Sequence, residues 1–259
     1  MPTITTLATG LAGAIGSHYH GTSNRLYFVE WGGKLSRYDF VRAPDAVLLN
    51  NVARTLKGTW LMNLDTGVLT SVGGDVWWEQ IDAVRRRMVP KNGAQIAFLG
   101  VMTPLQYALL GTAQLQALSY GNTPIVGDDN ASNQLVPGAV FAVRTDAGNH
   151  AKVRVTTYGY NLVIRITTYR LKPAYQVLGT GYTEPEDVKV SADASQAYIT
   201  ERGGRLLRVA LNTAVPPNRS AATVLASGLN APQKIALRED AGCAYVVEFA
   251  PPATWCGST

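Results

Sequence analysis

The sequence predicts a mainly β fold in which short antiparallel units near the two ends of the chain frame a separate inserted module. Three observations predict it. A motif closing on Tyr-x-x-Glu occurs three times, at Tyr27/Glu30, Tyr198/Glu201 and Tyr245/Glu248. Short alternating apolar runs are broken by turn residues, in a chain with 25 glycines and 13 prolines, as expected of strands rather than helices. The first two motif copies lie 171 residues apart, but the second and third only 47 apart, so a long segment without the motif intervenes.

The repeat explains its own elements. Residues 10–30, 181–201 and 228–248 align without a gap. In the second and third copies a short strand (188–191, 235–238) leads through a polar turn (192–195, 239–242) to a second strand (197–201, 244–248). Gly203-Gly204 then turns the chain into a third strand at 205–211, as Gly32-Gly33 does in the first copy. Alternation places Val188 and Val190, or Ile235 and Leu237, on one face. Residues 223–226 supply a further strand.

The stretches LYFVEWGGKLSRYDF and AYITERGGRLLRVAL resemble the blade motif of NHL-repeat and streptogramin-lyase-like β-propellers. The resemblance covers residues 10–47 and 178 onward. It implies an incomplete β-propeller of about three blades, interrupted by a small antiparallel β or α+β insertion domain. Residues 1–72 are then the first blade region, 73–171 the insertion, and 172–259 the second and third blades. A strand at 58–64, with its turn Asp65-Thr66-Gly67, is assigned to the first blade. After Glu248 the third copy departs from the pattern. Codons compatible with residues 251–259, read two bases later, encode Ala-Gly-Asn-Leu-Val-Arg-Ile-Asn, which restores the missing turn and strand. The expectation is a propeller truncated by a frameshift, with no designed role for Trp255 or Cys256. It would self-associate through an open blade edge.

Within the insertion, Val76-Trp77-Trp78-Glu79 opens an aromatic segment, residues 94–101 read as a buried strand, and Thr112 caps a short helix at 113–119 with Leu115 and Leu118 on one side. Strands at 140–145 and 151–157 flank Asp146-Ala147-Gly148, a three-residue hairpin loop with glycine at its left-handed position. That register puts Phe141, Val143, Ala151 and Val153 on one face and Arg144, His150, Lys152 and Arg154 on the other. A last strand follows at 162–169.

Composition narrows the function. The net charge of +5 is spread thinly, and the one dense run is Arg85-Arg86-Arg87, so nucleic-acid binding is disfavoured. Two cysteines make no disulfide framework, residues 1–21 lack the pattern of a signal peptide, and no apolar run has the length of a membrane span. No nucleophile elbow, P-loop or metalloprotease motif is present. The candidate ligand-binding residues are Glu30, Glu201 and Glu248, Trp77 and Trp78, and the basic set Arg144, Lys152 and Arg154. Repeated glutamates at one radius could hold a divalent cation such as calcium, although a structural role for them is favoured because they repeat. His18 and His20 alternate on one strand and form a candidate metal pair. Asp128, Asp129, Asn130 and Asn133 read as a turn cluster. The expected function is a binding scaffold, with the insertion recognising a small molecule, glycan or protein. The alternative is a propeller enzyme, a lyase or a metal-dependent lactonase, with an incomplete site.

Overall fold

A computed structural model describes residues 6–249; the expectations for Trp255, Cys256 and the 251–259 segment lie outside them. The fold is mainly β and divides into two compact units. One comprises residues up to 41 together with those from 173 onward, the other residues 42–172. The first unit opens with β1 (Ala14–His20), β2 (Arg25–Glu30) and β3 (Lys34–Asp39), an antiparallel meander. The β2–β3 turn requires a glycine. Gly33 has φ +79°, and a Cβ there would lie 2.4 Å from the Tyr182 carbonyl oxygen.

The second unit begins with β4 (Pro44–Leu56), β5 (Leu61–Asn63), β6 (Val68–Thr70), β7 (Val76–Gln80), β8 (Arg86–Pro90) and β9 (Gln95–Val101). Two short helices follow, α1 (Pro104–Leu109) and α2 (Thr112–Gln116), then β10 (Ile125–Val126), β11 (Ala139–Arg144), β12 (His150–Thr157) and β13 (Leu162–Leu171). They form two five-stranded antiparallel sheets, ordered β10-β8-β7-β5-β6 and β4-β13-β12-β11-β9. Met62, Val76, Trp78 and Met88 of the first sheet share one core with Phe141, Val143, Val153, Ile164 and Ile166 of the second. This is a β-sandwich.

The β11–β12 hairpin has the predicted register, Phe141 opposite Val153 and Val143 opposite Ala151. Thr145 and Asn149 close its loop with Gly148 at φ +77°. The boundary differs from the expected one: the second unit starts at Arg42, not Gly73. The strand read at 58–64 belongs to this unit, because β5 pairs with β6 and β7 and its Met62 is fully buried in the sandwich core. The helix read at 113–119 is shorter, and Gly111 rather than Thr112 occupies its N-cap. α1, capped by Thr103 in a capping box with Gln106, is an addition.

The chain then returns to the first unit. β14 (Tyr175–Thr180) pairs with β3 and makes the opening meander a four-stranded sheet ordered β1-β2-β3-β14. A second four-stranded sheet follows in chain order, β15 (Pro185–Val190), β16 (Gln196–Glu201), β17 (Arg205–Ala210) and β18 (Thr223–Ser227). β19 (Pro232–Arg238) and β20 (Cys243–Glu248) form a third, two-stranded among the described residues. The repeat holds at the level of pairing. Tyr27 faces His18, Tyr198 faces Lys189 and Tyr245 faces Ala236, the same offsets that separate the motif copies.

Candidate functional site

The outer face of the second sandwich sheet, opposite the core, carries a pocket of about 380 Å³ between α1 and strands β4, β12 and β13. Its size falls at the lower end of the small-molecule range. Alternation builds it. Ala151, Val153 and Val155 of β12 enter the core, so Lys152 and Arg154 face the other way; Ile164 and Ile166 of β13 do the same for Arg165, Thr167 and Tyr169. The rim is made by a bulge. Ile166 pairs with Val52 and Thr168 with Leu49, leaving Asn50 and Asn51 opposite Thr167. Asn51 takes the left-handed conformation (φ 52°), donates its backbone N–H to Thr167 Oγ1 and accepts from Arg165 at its carbonyl.

The pocket is cationic. Arg154 and Arg165 are direct cross-strand partners, a like-charge pairing that disfavours the sheet unless something answers it. Among the described residues no carboxylate lies within ion-pairing distance of Lys152, Arg154 or Arg165. Arg154 spends one N–H on the Met102 carbonyl and Arg165 one on the Asn51 carbonyl, out of five on each guanidinium. Lys152 is different. It is buried, and its Nζ donates to the carbonyls of Tyr107, Ala108 and Leu110 at the C-terminal end of α1. It therefore anchors α1 and contributes charge, not a free donor as the sequence reading has it. Burial lowers its pKa. The Tyr107 hydroxyl shares its proton between the Lys152 and Arg165 carbonyls, and burial pushes its pKa up to about 12, so it stays a donor.

Of the predicted basic set, the pocket joins Lys152 and Arg154 and leaves Arg144 out, exposed at the far end of β11 beside its cross-strand partner His150. Arg165 and Tyr107 are the residues that sequence reasoning missed. The alternation of residues 162–171 contained the signal for Arg165; nothing local signalled Tyr107. The Arg85–Arg87 run behaves oppositely to the pocket. Each arginine meets its own acid: Arg85 with Asp82, Arg86 with Asp129 and Arg87 with Glu79. Asp128 accepts from the Arg86 amide, and Asn130 and Asn133 accept from Ser132 and Leu135, a turn cluster as expected.

The other candidates are occupied structurally. Glu30 is fully buried and accepts from the Ala12 amide, Ser36 and Tyr175. Burial alone would raise its pKa, but these hydrogen bonds outweigh that and hold it below the usual value. Glu201, 171 residues on, accepts from the Thr183 amide and pairs with Arg219 at 2.8 Å. The two therefore brace their own sheets rather than face a shared ligand. Glu248 ends β20, partly buried. His18 Nδ1 accepts from the Val190 amide, while His20 uses Nε2 on the Ala192 carbonyl and Nδ1 on Ser23. With both His20 nitrogens engaged by turn residues, a shared metal is not what this pair is built for. Trp78 is fully buried and donates to the Tyr160 carbonyl, so it is core and presents no surface to a ligand. Trp77 is half-buried, with Lys91 over its ring.

One cluster was invisible in the sequence. Asp65, Asp75 and Asp146 bring one carboxylate oxygen each within 4.8 Å. Asp75 is fully buried and accepts from the Leu64 and Asp146 amides. Burial pushes its pKa up to about 6, with the neighbouring carboxylates adding to it. Protonation as pH falls through about 6 thus relieves the repulsion, and the oxygen donors suit a hard cation in type. Among the described residues no helix is long and apolar enough to cross a membrane.

The chain matches no protein-family model and no curated protein sequence.

Proposed function

We propose that this is a ligand-binding protein, in which a propeller-like repeat unit carries the β-sandwich as a recognition module for a small anionic molecule. The observation that carries the reading is the Arg154–Arg165 pair, opposed across two strands in a pocket where no acid among the described residues answers it. A bound carboxylate or phosphate would supply the missing charge and take bidentate hydrogen bonds from either guanidinium. The propeller-like scaffold is supported by the conserved offsets of the three sheets and by the resemblance to NHL-repeat and streptogramin-lyase-like blades. The alternative, a metal-dependent propeller enzyme, has less support, since Glu30 and His20 already spend their polar atoms on the protein and Glu201 gives one oxygen to Thr183 and Arg219.

Calorimetric titration tests the reading with citrate, inorganic phosphate and, as a neutral control, glycerol. Saturable binding of citrate or phosphate is expected, weakening with salt and falling at least ~10-fold in the Arg154→Gln/Arg165→Gln double variant. Neither anion binding, or the double variant binding as well as the parent, would overturn it.

A further inference from the structure

In a chain of which 16% is charged, residues 92–127 contain no Asp, Glu, Lys or Arg. This run includes β9, α1, α2 and β10. It borders the cationic pocket, which Pro104, Tyr107 and Ala108 of α1 help to line. Part of its apolar content lies outside any core. Val101, Leu105 and Leu109 are 66%, 67% and 68% exposed. One exposed apolar side chain is ordinary, but several on one face mark a contact surface.

Helix geometry fixes where α1 aims two of them. The Tyr107 hydroxyl bonds the Lys152 and Arg165 carbonyls, so its side chain points at the sheet. Leu105 and Leu109 lie two residues to either side, about 200° around the helix axis. They therefore project away from the sheet, on the side where the exposed Arg165 also leaves it. Val101 flanks Arg154: a Cβ on Gly138 would sit 3.1 Å from Val101 and 3.7 Å from the Arg154 guanidinium. On the β4 side, Val47 pairs with Tyr169 of the pocket and is 51% exposed. Asp45, on the same strand, is already paired with Arg170. Cationic floor and apolar rim thus face one way.

We propose that this face docks on a bilayer containing anionic phospholipid, with a headgroup phosphate in the pocket and Leu105 and Leu109 entering the interface. Buried apolar area and attraction to anionic lipid together hold a protein at a membrane surface. A free anion would answer Arg154 and Arg165 but give the exposed leucines and the uncharged run no role. The pocket, at about 380 Å³, suits a headgroup while the acyl chains stay in the bilayer. The inference rests on the anion reading and names the source of the anion.

Vesicle flotation of the full chain tests it, using phosphatidylcholine with and without phosphatidic acid, beside calorimetric titration of inorganic phosphate. Acidic vesicles should bind at least ~10-fold more tightly than neutral ones, and salt should weaken them. Leu105→Gln/Leu109→Gln keeps the charge, so it should lose ~10-fold or more on acidic vesicles yet bind phosphate as the parent does. Retained phosphate binding also shows that this variant is folded; should it be lost, Leu105→Gln alone takes its place. Arg154→Gln/Arg165→Gln should lose both ligands. Phosphate binding without vesicle binding would overturn this inference and leave the anion reading standing. Equal binding to neutral and acidic vesicles, or leucine variants that hold acidic vesicles like the parent, would also overturn it. A parent that binds no phosphate removes the anion reading and this inference with it.

Discussion

Glu201 in the repeat unit and Arg165 in the inserted unit are both charged residues on strands, yet their surroundings are opposite. Glu201 is 1% exposed and answered by Arg219 and the Thr183 amide. Its counterpart Glu30 is held by the corresponding Ala12 amide. Arg165 stands exposed beside another arginine, with no acid among the described residues in reach. A charge that recurs at every repeat must satisfy the same local geometry each time, so it becomes part of the sheet. A charge that occurs once is free to serve a ligand.

The largest effect should come from breaking the answered charge. Glu201→Ala leaves the partly buried Arg219 and the Thr183 amide without their acceptor and should destabilise the repeat unit by about 3–5 kcal/mol, measured by urea unfolding. Glu30→Ala should cost less, because the Ser36 and Tyr175 hydroxyls that face it are neutral. A loss below about 1 kcal/mol for Glu201 would undo the contrast.

An intermediate effect concerns the inserted unit alone, where two buried groups titrate in opposite senses. Burial, with the Arg42 and Arg144 charges, lowers His150 to about 4. The unfolded chain takes up that proton first, so stability is full above pH 6.5 and falls as pH drops toward 4. Asp75, raised to about 6, is protonated first in the folded chain, so stability grows as pH falls from 6 toward 3.8. The two contributions therefore oppose each other over this range. The inserted unit's stability profile between pH 6.5 and 4 is the sum of these opposing slopes and that of Asp65, whose pKa burial also raises. Asp75→Asn should make it fall on acidification and His150→Gln should make it rise. Parallel profiles in both variants would contradict the assignment.

The smallest stability effect belongs to the unanswered charge. Arg154→Gln should change the unfolding free energy by less than about 0.5 kcal/mol in either direction, while weakening anion binding. A large destabilisation would move Arg154 into the structural class of Glu201 and remove the distinction between the two units.

The candidate site was half legible in the sequence. Lys152 and Arg154 follow from a hairpin whose turn chemistry sets its register, so their shared face was predictable. That Lys152 anchors α1 was not, because the carbonyls it binds belong to a helix more than 40 residues earlier that tertiary packing holds against the sheet. The Asp65–Asp75–Asp146 cluster was equally hidden. Asp65 and Asp146 read as ordinary turn residues, and only the closing of the sandwich brings them together.

The sequence by itself determined what neighbouring residues decide between them: the Tyr-x-x-Glu hairpins, the Gly-Gly turn and the two faces of β11 and β12. In each case alternation and backbone-permissive turn residues act within one hairpin. Only the tertiary structure decided which strand completes the first sheet. β3 pairs with β14, more than 130 residues away, although the strand at residues 61–63 is much nearer in sequence. The reason is burial rather than proximity. Met62 and Leu64 have a fully enclosed place in the sandwich core, and β14 brings Tyr175 onto Phe28 and Glu30. Loop-closure entropy grows only slowly with the length of the intervening chain, so side-chain burial outweighs it.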